Sequence, residues 1–138
     1  MKIAINRCWG GFGLSHEAVM RYAELSGFKL YPIVEKGVKG NIDFNHYVPY
    51  TGQKNVFYIS YLKKPLLKDE TYEEGSCFYP RNDIERFDPL LIQVIEELGE
   101  KANGDYANIK IVDIPDDVKW QIDDYDGQES IHELHRSW

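Results

Sequence analysis

The sequence predicts an α/β domain: a small layered mixed sheet with two main helices and a short C-terminal helix, an α+β arrangement being the alternative. Three observations predict it. The apolar run Lys2–Asn6 leads through a glycine-rich turn into an amphipathic helix. A second helix opens at the pair Asp88-Pro89, and a near-continuous apolar run at 109–114 follows it. Helices that separate strands favour parallel pairing through right-handed crossovers.

Each element has its own local reason. Residues 2–6 read as a buried strand, followed by Trp9-Gly10-Gly11-Phe12-Gly13 as a turn. Ser15 is a helix N-cap whose hydroxyl accepts from a free backbone N–H. Leu14 and Val19 are spaced for a hydrophobic staple across that cap. Ala18, Val19, Tyr22 and Ala23 share one helical face, and Gly27 stops the helix. Residues 28–34 read as a second strand, placed at a sheet edge because Pro32 has no N–H to give a ladder.

The middle of the chain is less regular. Residues 37–54 are rich in Gly, Asn, Asp and Pro and read as a loop, whereas the β-branched and aromatic run 55–61 reads as a strand. Residues 62–87 show no period, which in a compact domain marks a functional segment, a mobile one or a missed hairpin.

The C-terminal part is clearer. From Asp88-Pro89, an N-cap with proline at the first helical position, Leu91, Val94, Ile95, Leu98 and Ala102 recur at helical spacing as far as Gly104. Gly99 inside that helix costs about 1 kcal/mol relative to alanine and so suggests a close packing contact. Val118, Trp120 and Ile122 alternate with polar residues in a strand that has one wet face. Asp126-Gly127 is a turn, and residues 128–135 read as the last short helix. All of this fits one domain, residues 1–138.

Composition narrows the function classes. With 43% hydrophobic and 28% charged residues the chain is globular, not disordered. No run reaches the roughly 18–20 apolar residues of a membrane span. The N-terminus turns polar too early for a signal peptide. Two cysteines, Cys8 and Cys77, are too few for a secreted disulfide scaffold. The cytosol is the expected compartment. The net charge of −7 argues against general nucleic-acid binding. Charge is uneven, though: residues 1–68 hold 10 Lys and Arg against 4 Asp and Glu, and the remainder holds 6 against 19.

Chemistry concentrates at two places. A helix start carries free N–H groups and a partial positive charge, and glycines let backbone approach an anion. Arg7, Gly11, Gly13, Ser15 and His16 are therefore candidate phosphate-binding residues, with the loop amides aimed outward. The loop matches neither the dinucleotide fingerprint nor the lysine-bearing phosphate loop, so tight-turn chemistry is the competing reading. At the other end, Arg136 and Trp138 can clamp a phosphate and stack on a base, or Trp138 can pin the tail to the core. His132 and His135, three apart on a helix, can share a metal with Glu129, although no second cluster supports one. Cys8 beside the turn is a weak nucleophile candidate without an assigned base. Asp116, Asp117, Asp123, Asp124 and Asp126 suit Mg²⁺ or glycosidic chemistry, but dense surface acid is more often solvated. Tyr47, Tyr50, Tyr72, Tyr79 and Phe78 form either a stacking surface or satellite clusters under loops. No cofactor is called for.

Gly10-Gly11-Phe12-Gly13-Leu14-Ser15, Asp88-Pro89-Leu90-Leu91-Ile92, Ile114-Pro115-Asp116-Asp117-Val118, Tyr125-Asp126-Gly127 and the closing His132-Glu133…His135-Arg136-Ser137-Trp138 stand out together. On these segments the chain resembles a group of short uncharacterised proteins of bacteriophages and prophages. The resemblance covers the two ends and the second helix but not residues 28–79. It brings no site residues. It implies a phage accessory protein in the host cytosol. The expected function is binding of a small phosphorylated, nucleotide-like ligand, sequestering a host defence signal. A small phosphoesterase or transferase, and an acidic inhibitor that binds a host protein, are the alternatives. Self-association is compatible with either.

Overall fold

In a computed structural model the chain is a mixture of helices and antiparallel sheets. The structure describes residues 1–38, 41–54, 56 and 58–134, with backbone alone at 37–38 and 41–45. The strands are β1 (Lys2–Asn6), β2 (Tyr31–Val38), β3 (Asn41–Pro49), β4 (Ser60–Leu62), β5 (Cys77–Phe78), β6 (Ile109–Asp113), β7 (Trp120–Tyr125) and β8 (Gln128–Glu133). The helices are α1 (His16–Ser26), α2 (Pro80–Asp83) and α3 (Pro89–Leu98), with a 3₁₀ turn at Gly99–Ala102. They form two compact units, Met1–Ser26 with Pro80–Trp138, and Gly27–Tyr79.

The first unit pairs β1 with β6 antiparallel, Lys2 opposite Asp113 and Asn6 opposite Ile109. The parallel pairing expected from helix–strand alternation is therefore absent from this sheet. Its core joins Ile3, Ala4 and Ile5 to Val19 and Ala23 of α1 and to Leu91, Val94 and Ile95 of α3, all buried. Ser15 caps α1 as its sequence predicts, accepting from Ala18 N at 3.1 Å. Asp88 caps α3 through Leu90 N at 2.9 Å, and its other oxygen accepts from the Tyr22 hydroxyl at 2.6 Å. That bond ties the start of α3 to α1. Gly99 has a different role from the one expected. A Cβ there would meet nothing within 4 Å, and its φ of +58° is what ends the α-helix.

The C-terminal segment read as a helix is the strand β8. Asp126 and Gly127, at φ +50° and +91°, form a two-residue hairpin turn of the type that Asp-Gly favours. Tyr125 faces Gln128 across it, and the ladder runs to Trp120 opposite Glu133. Cross-strand pairing overrides the weak helical preference of residues 128–133, and His135 lies outside the described residues.

The second unit is a four-stranded sheet in the order β3-β2-β4-β5. β2 is thus an inner strand, not the edge strand that Pro32 suggests. Pro32 sits at its start, and the ladder toward β3 opens one residue later at Ile33 opposite Pro49. The missing N–H therefore falls where no ladder bond is needed. The expected loop at 37–54 holds β3, and the expected strand at 55–61 is reduced to β4. Leu30, Ile33, Val34, Leu62 and Phe78 are buried. The loop aromatics pair among themselves here: Tyr47 meets Tyr72 edge-on at 5.2 Å and Phe28 meets Phe78 at 5.4 Å. Burial, with Cys77 and Tyr47 alongside, pushes the Tyr72 hydroxyl up to about 12.

Candidate functional site

The glycine loop between β1 and α1 is fixed at both ends by its own unit. At the near end Asn6, fully buried, uses its side chain as a clasp. Its Nδ2 donates to Cys8 O and Gly127 O, each at 2.6 Å, and its Oδ1 accepts from Asn108 N at 2.8 Å. The Asn6 amide donates to Glu129 Oε1 at 2.8 Å. Glu129 in turn takes a forked pair of bonds from Arg86, at 2.6 and 2.8 Å. The Arg86 guanidinium lies 3.5 Å from the centre of the Phe12 ring and also donates to Ala4 O. One buried network therefore holds β1, the loop and β8 together.

Glycines allow the close approaches. A Cβ on Gly10 would collide with the Tyr106 carbonyl, and one on Gly127 would collide with Trp9 O and the Gly11 amide. The hairpin turn thus sits directly on the loop backbone. At the far end Gly104 N donates to Gly13 O at 2.8 Å, and Leu14 bridges Asn103.

This clamping turns three aromatic side chains outward around one loop. Trp9, Tyr106 and Tyr125 are 60%, 79% and 72% exposed. Trp9 and Tyr125 meet edge to face, with centroids 5.7 Å apart. Large aromatic surface left in water at one place is the kind of feature that marks a binding face. Arg81 of α2 lies beside Gly11, and its Nη2 is 4.0 Å from Asp124 Oδ2.

The predicted phosphate residues divide between the two ends of the loop. Arg7 gives its amide to Asn108 O at 2.9 Å, while its exposed guanidinium has no partner among the described residues. Gly11, at φ +87°, lies on the aromatic side next to Arg81. Gly13 and Ser15 lie on the other side. The Ser15 amide donates to Ala102 O, and its hydroxyl donates to Lys101 O at 2.6 Å while capping α1. The amides of Arg7 and Ser15 are thus used inside the fold and not aimed outward. His16 is half-buried, and burial lowers its pKa below the usual 6.5. Arg136 and Trp138 lie outside the described residues. Arg81, Arg86, Tyr106 and Tyr125 escape sequence reasoning because only the fold brings them to the loop, and the roles of Asn6 and Trp9 follow from those partners.

The lowered His16 pKa has a testable sign. The unfolded chain takes up the proton first, so stability rises with pH through the interval below 6.5 and falls on acidification. Urea midpoints at neutral and mildly acidic pH should differ less for His16→Gln than for the native chain. An unchanged slope would remove His16 from the effect.

The other chemical candidates are organised differently from the expectation. Glu129 and His132, three apart on a strand, point to opposite faces, so Glu129 does not join His132 as a metal ligand. His135 lies outside the described residues, and among those described no cluster of three metal-ligating side chains occurs. Ser130 Oγ and Asp123 Oδ2 approach His132 at 3.1 and 3.3 Å, but both meet the same nitrogen, Nε2. A nucleophile triad needs one partner on each ring nitrogen. Cys8 Sγ donates to Tyr106 O at 2.8 Å, a carbonyl and not a basic side chain.

A cleft of about 660 Å³ lies elsewhere, along Met1, Lys2, Phe87, Pro89, Ile92 and Glu96. Its rim charges satisfy one another. Lys2 pairs with Glu96 at 3.0 Å, Arg21 pairs with Glu97 at 3.0 Å, and the N-terminal amine is held by Asp113 and Asp116. The aromatic face is the chemically better-equipped site. No family model, curated protein or solved structure matches this chain. Among the described residues no helix is long and apolar enough to cross a membrane.

Proposed function

We propose that this protein binds a small phosphorylated, nucleotide-like ligand on the aromatic face of the glycine loop. The observation that carries the reading is the Trp9–Tyr125 pair, meeting edge to face and exposed beside Gly11. A planar base stacks on such a surface whatever its edge pattern, because every base has a π-face. Arg81, beside Gly11, supplies a forked donor that suits a phosphate, and Arg7, at the start of the loop, is a second candidate. The resemblance to phage proteins makes capture of a nucleotide-derived host signal the setting in which such a binder acts. The shared Nε2 contact of Ser130 and Asp123 favours binding over turnover.

Stacking is worth about 1–3 kcal/mol per base. Trp9→Ala or Tyr125→Ala is therefore expected to weaken binding of adenosine or guanosine nucleotides about tenfold or more in calorimetric titration, with the fold intact. Native affinity in both variants would remove the reading.

One observation favours a second reading, an acidic surface that engages a basic host protein. The first unit carries nine Lys and Arg against seventeen Asp and Glu. Binding of that kind declines steeply with salt, whereas stacking on aromatic rings does not.

A further inference from the structure

We infer that the ligand of the aromatic face carries its phosphate as a singly charged phosphodiester, as in a cyclic nucleotide, and not as a multiply charged nucleoside di- or triphosphate. The inference rests on the ligand-binding reading above and follows from the charges around the rings. The cation placed beside the loop is Arg81, next to Gly11. It is already shared, because its Nη2 approaches Asp124 Oδ2 at 4.0 Å. Three carboxylates flank the aromatic residues in the chain, Asp105 beside Tyr106 and Asp124 and Asp126 on either side of Tyr125, and Asp105 and Asp126 are exposed. The Asp124 carboxylate is fixed by the hairpin turn, its Oδ1 accepting from Gly127 N at 2.7 Å, so it cannot swing away from an incoming anion. The local charge is close to neutral or slightly negative, and the surrounding unit has an excess of eight acidic residues. One anionic charge is matched by Arg81, already shared with Asp124. Each further charge meets carboxylates without a new cation. At separations of several ångströms in a wet site, the repulsion against a triphosphate amounts to about tenfold in affinity, and it is screened by salt.

The rings point the same way. Trp9 and Tyr125 meet edge to face, an arrangement that leaves ring surface open to a base. Binding by stacking with one phosphate contact needs no phosphate cradle. The loop gives little of one, since its Arg7 and Ser15 amides and the Ser15 hydroxyl are spent internally.

The test is a calorimetric titration of the full chain with three ligands that share one base: the cyclic monophosphate, the open monophosphate and the triphosphate, without divalent metal. Affinity is expected to fall in that order, by about tenfold from first to last, with the gap closing in high salt. Asp126→Asn is expected to narrow the same gap. It removes one flanking carboxylate and leaves the rings and arginines in place. A triphosphate that binds as tightly as the cyclic ligand at low salt overturns the inference and leaves the ligand-binding reading standing. If none of the three binds, the reading itself fails and takes the inference with it.

Discussion

Glu129→Ala should destabilise the first unit by about 3–5 kcal/mol, the usual cost of stripping one partner from a buried ion pair. Glu129 and Arg86 are 4% and 16% exposed and bonded through both carboxylate oxygens. Removing the carboxylate strands the guanidinium between Ala4 O and the Phe12 ring, and it leaves the Asn6 amide without an acceptor. A loss of that size is a large share of the roughly 5–15 kcal/mol that a domain has in total. Urea titration followed by a probe in the first unit measures it. The double variant Arg86→Met with Glu129→Leu is expected to recover most of the loss, because the stranded charge is then gone. A single variant as stable as the native chain would mean that water replaces the pair, and that Asn6 alone holds the loop.

The second large effect concerns the turn that seats the hairpin. Gly127→Ala places a methyl group against Trp9 O and the Gly11 amide, at a φ of +91° that an L side chain rarely adopts. Overpacking and backbone strain each cost about 1–3 kcal/mol, and here they coincide. The hairpin must lift from the loop, which also separates Tyr125 from Trp9. Stability and nucleotide binding are therefore expected to fall together. Gly13→Ala is the control. A Cβ at Gly13 meets nothing within 4 Å, and its φ is not positive, so its stability should change by less than about 1 kcal/mol. If both variants behaved alike, the glycine loop would matter for its general flexibility and not for the contact with Gly127.

These two sites show where sequence reasoning reached and where it stopped. The α1 cap, its buried face of Ala18, Val19, Tyr22 and Ala23, and the Asp88-Pro89 start of α3 were legible because each is settled within one or two turns of helix. β3 and β8 were misread for opposite reasons. The alternating Ile42, Phe44 and His46 pattern was masked by turn-forming Asn and Asp. At β8 a helix-compatible run competes with the hairpin that Asp126-Gly127 announces. The aromatic face followed no local rule. Trp9 and Tyr125 are separated by most of the chain, and neither signals the other.

The sequence by itself determined the mixed helix and strand character, the helix starts and the glycine turn, since caps, proline and apolar spacing act over a few bonds. Only the tertiary structure decided the antiparallel pairing of β1 with β6, the burial of Glu129 against Arg86, and the exposure of Trp9 beside Tyr125. Those depend on contacts between residues 43 or more positions apart, and no short-range propensity encodes such contacts. They are settled by pairing the charges that burial desolvates, and by glycine backbones that let segments meet where a side chain would collide.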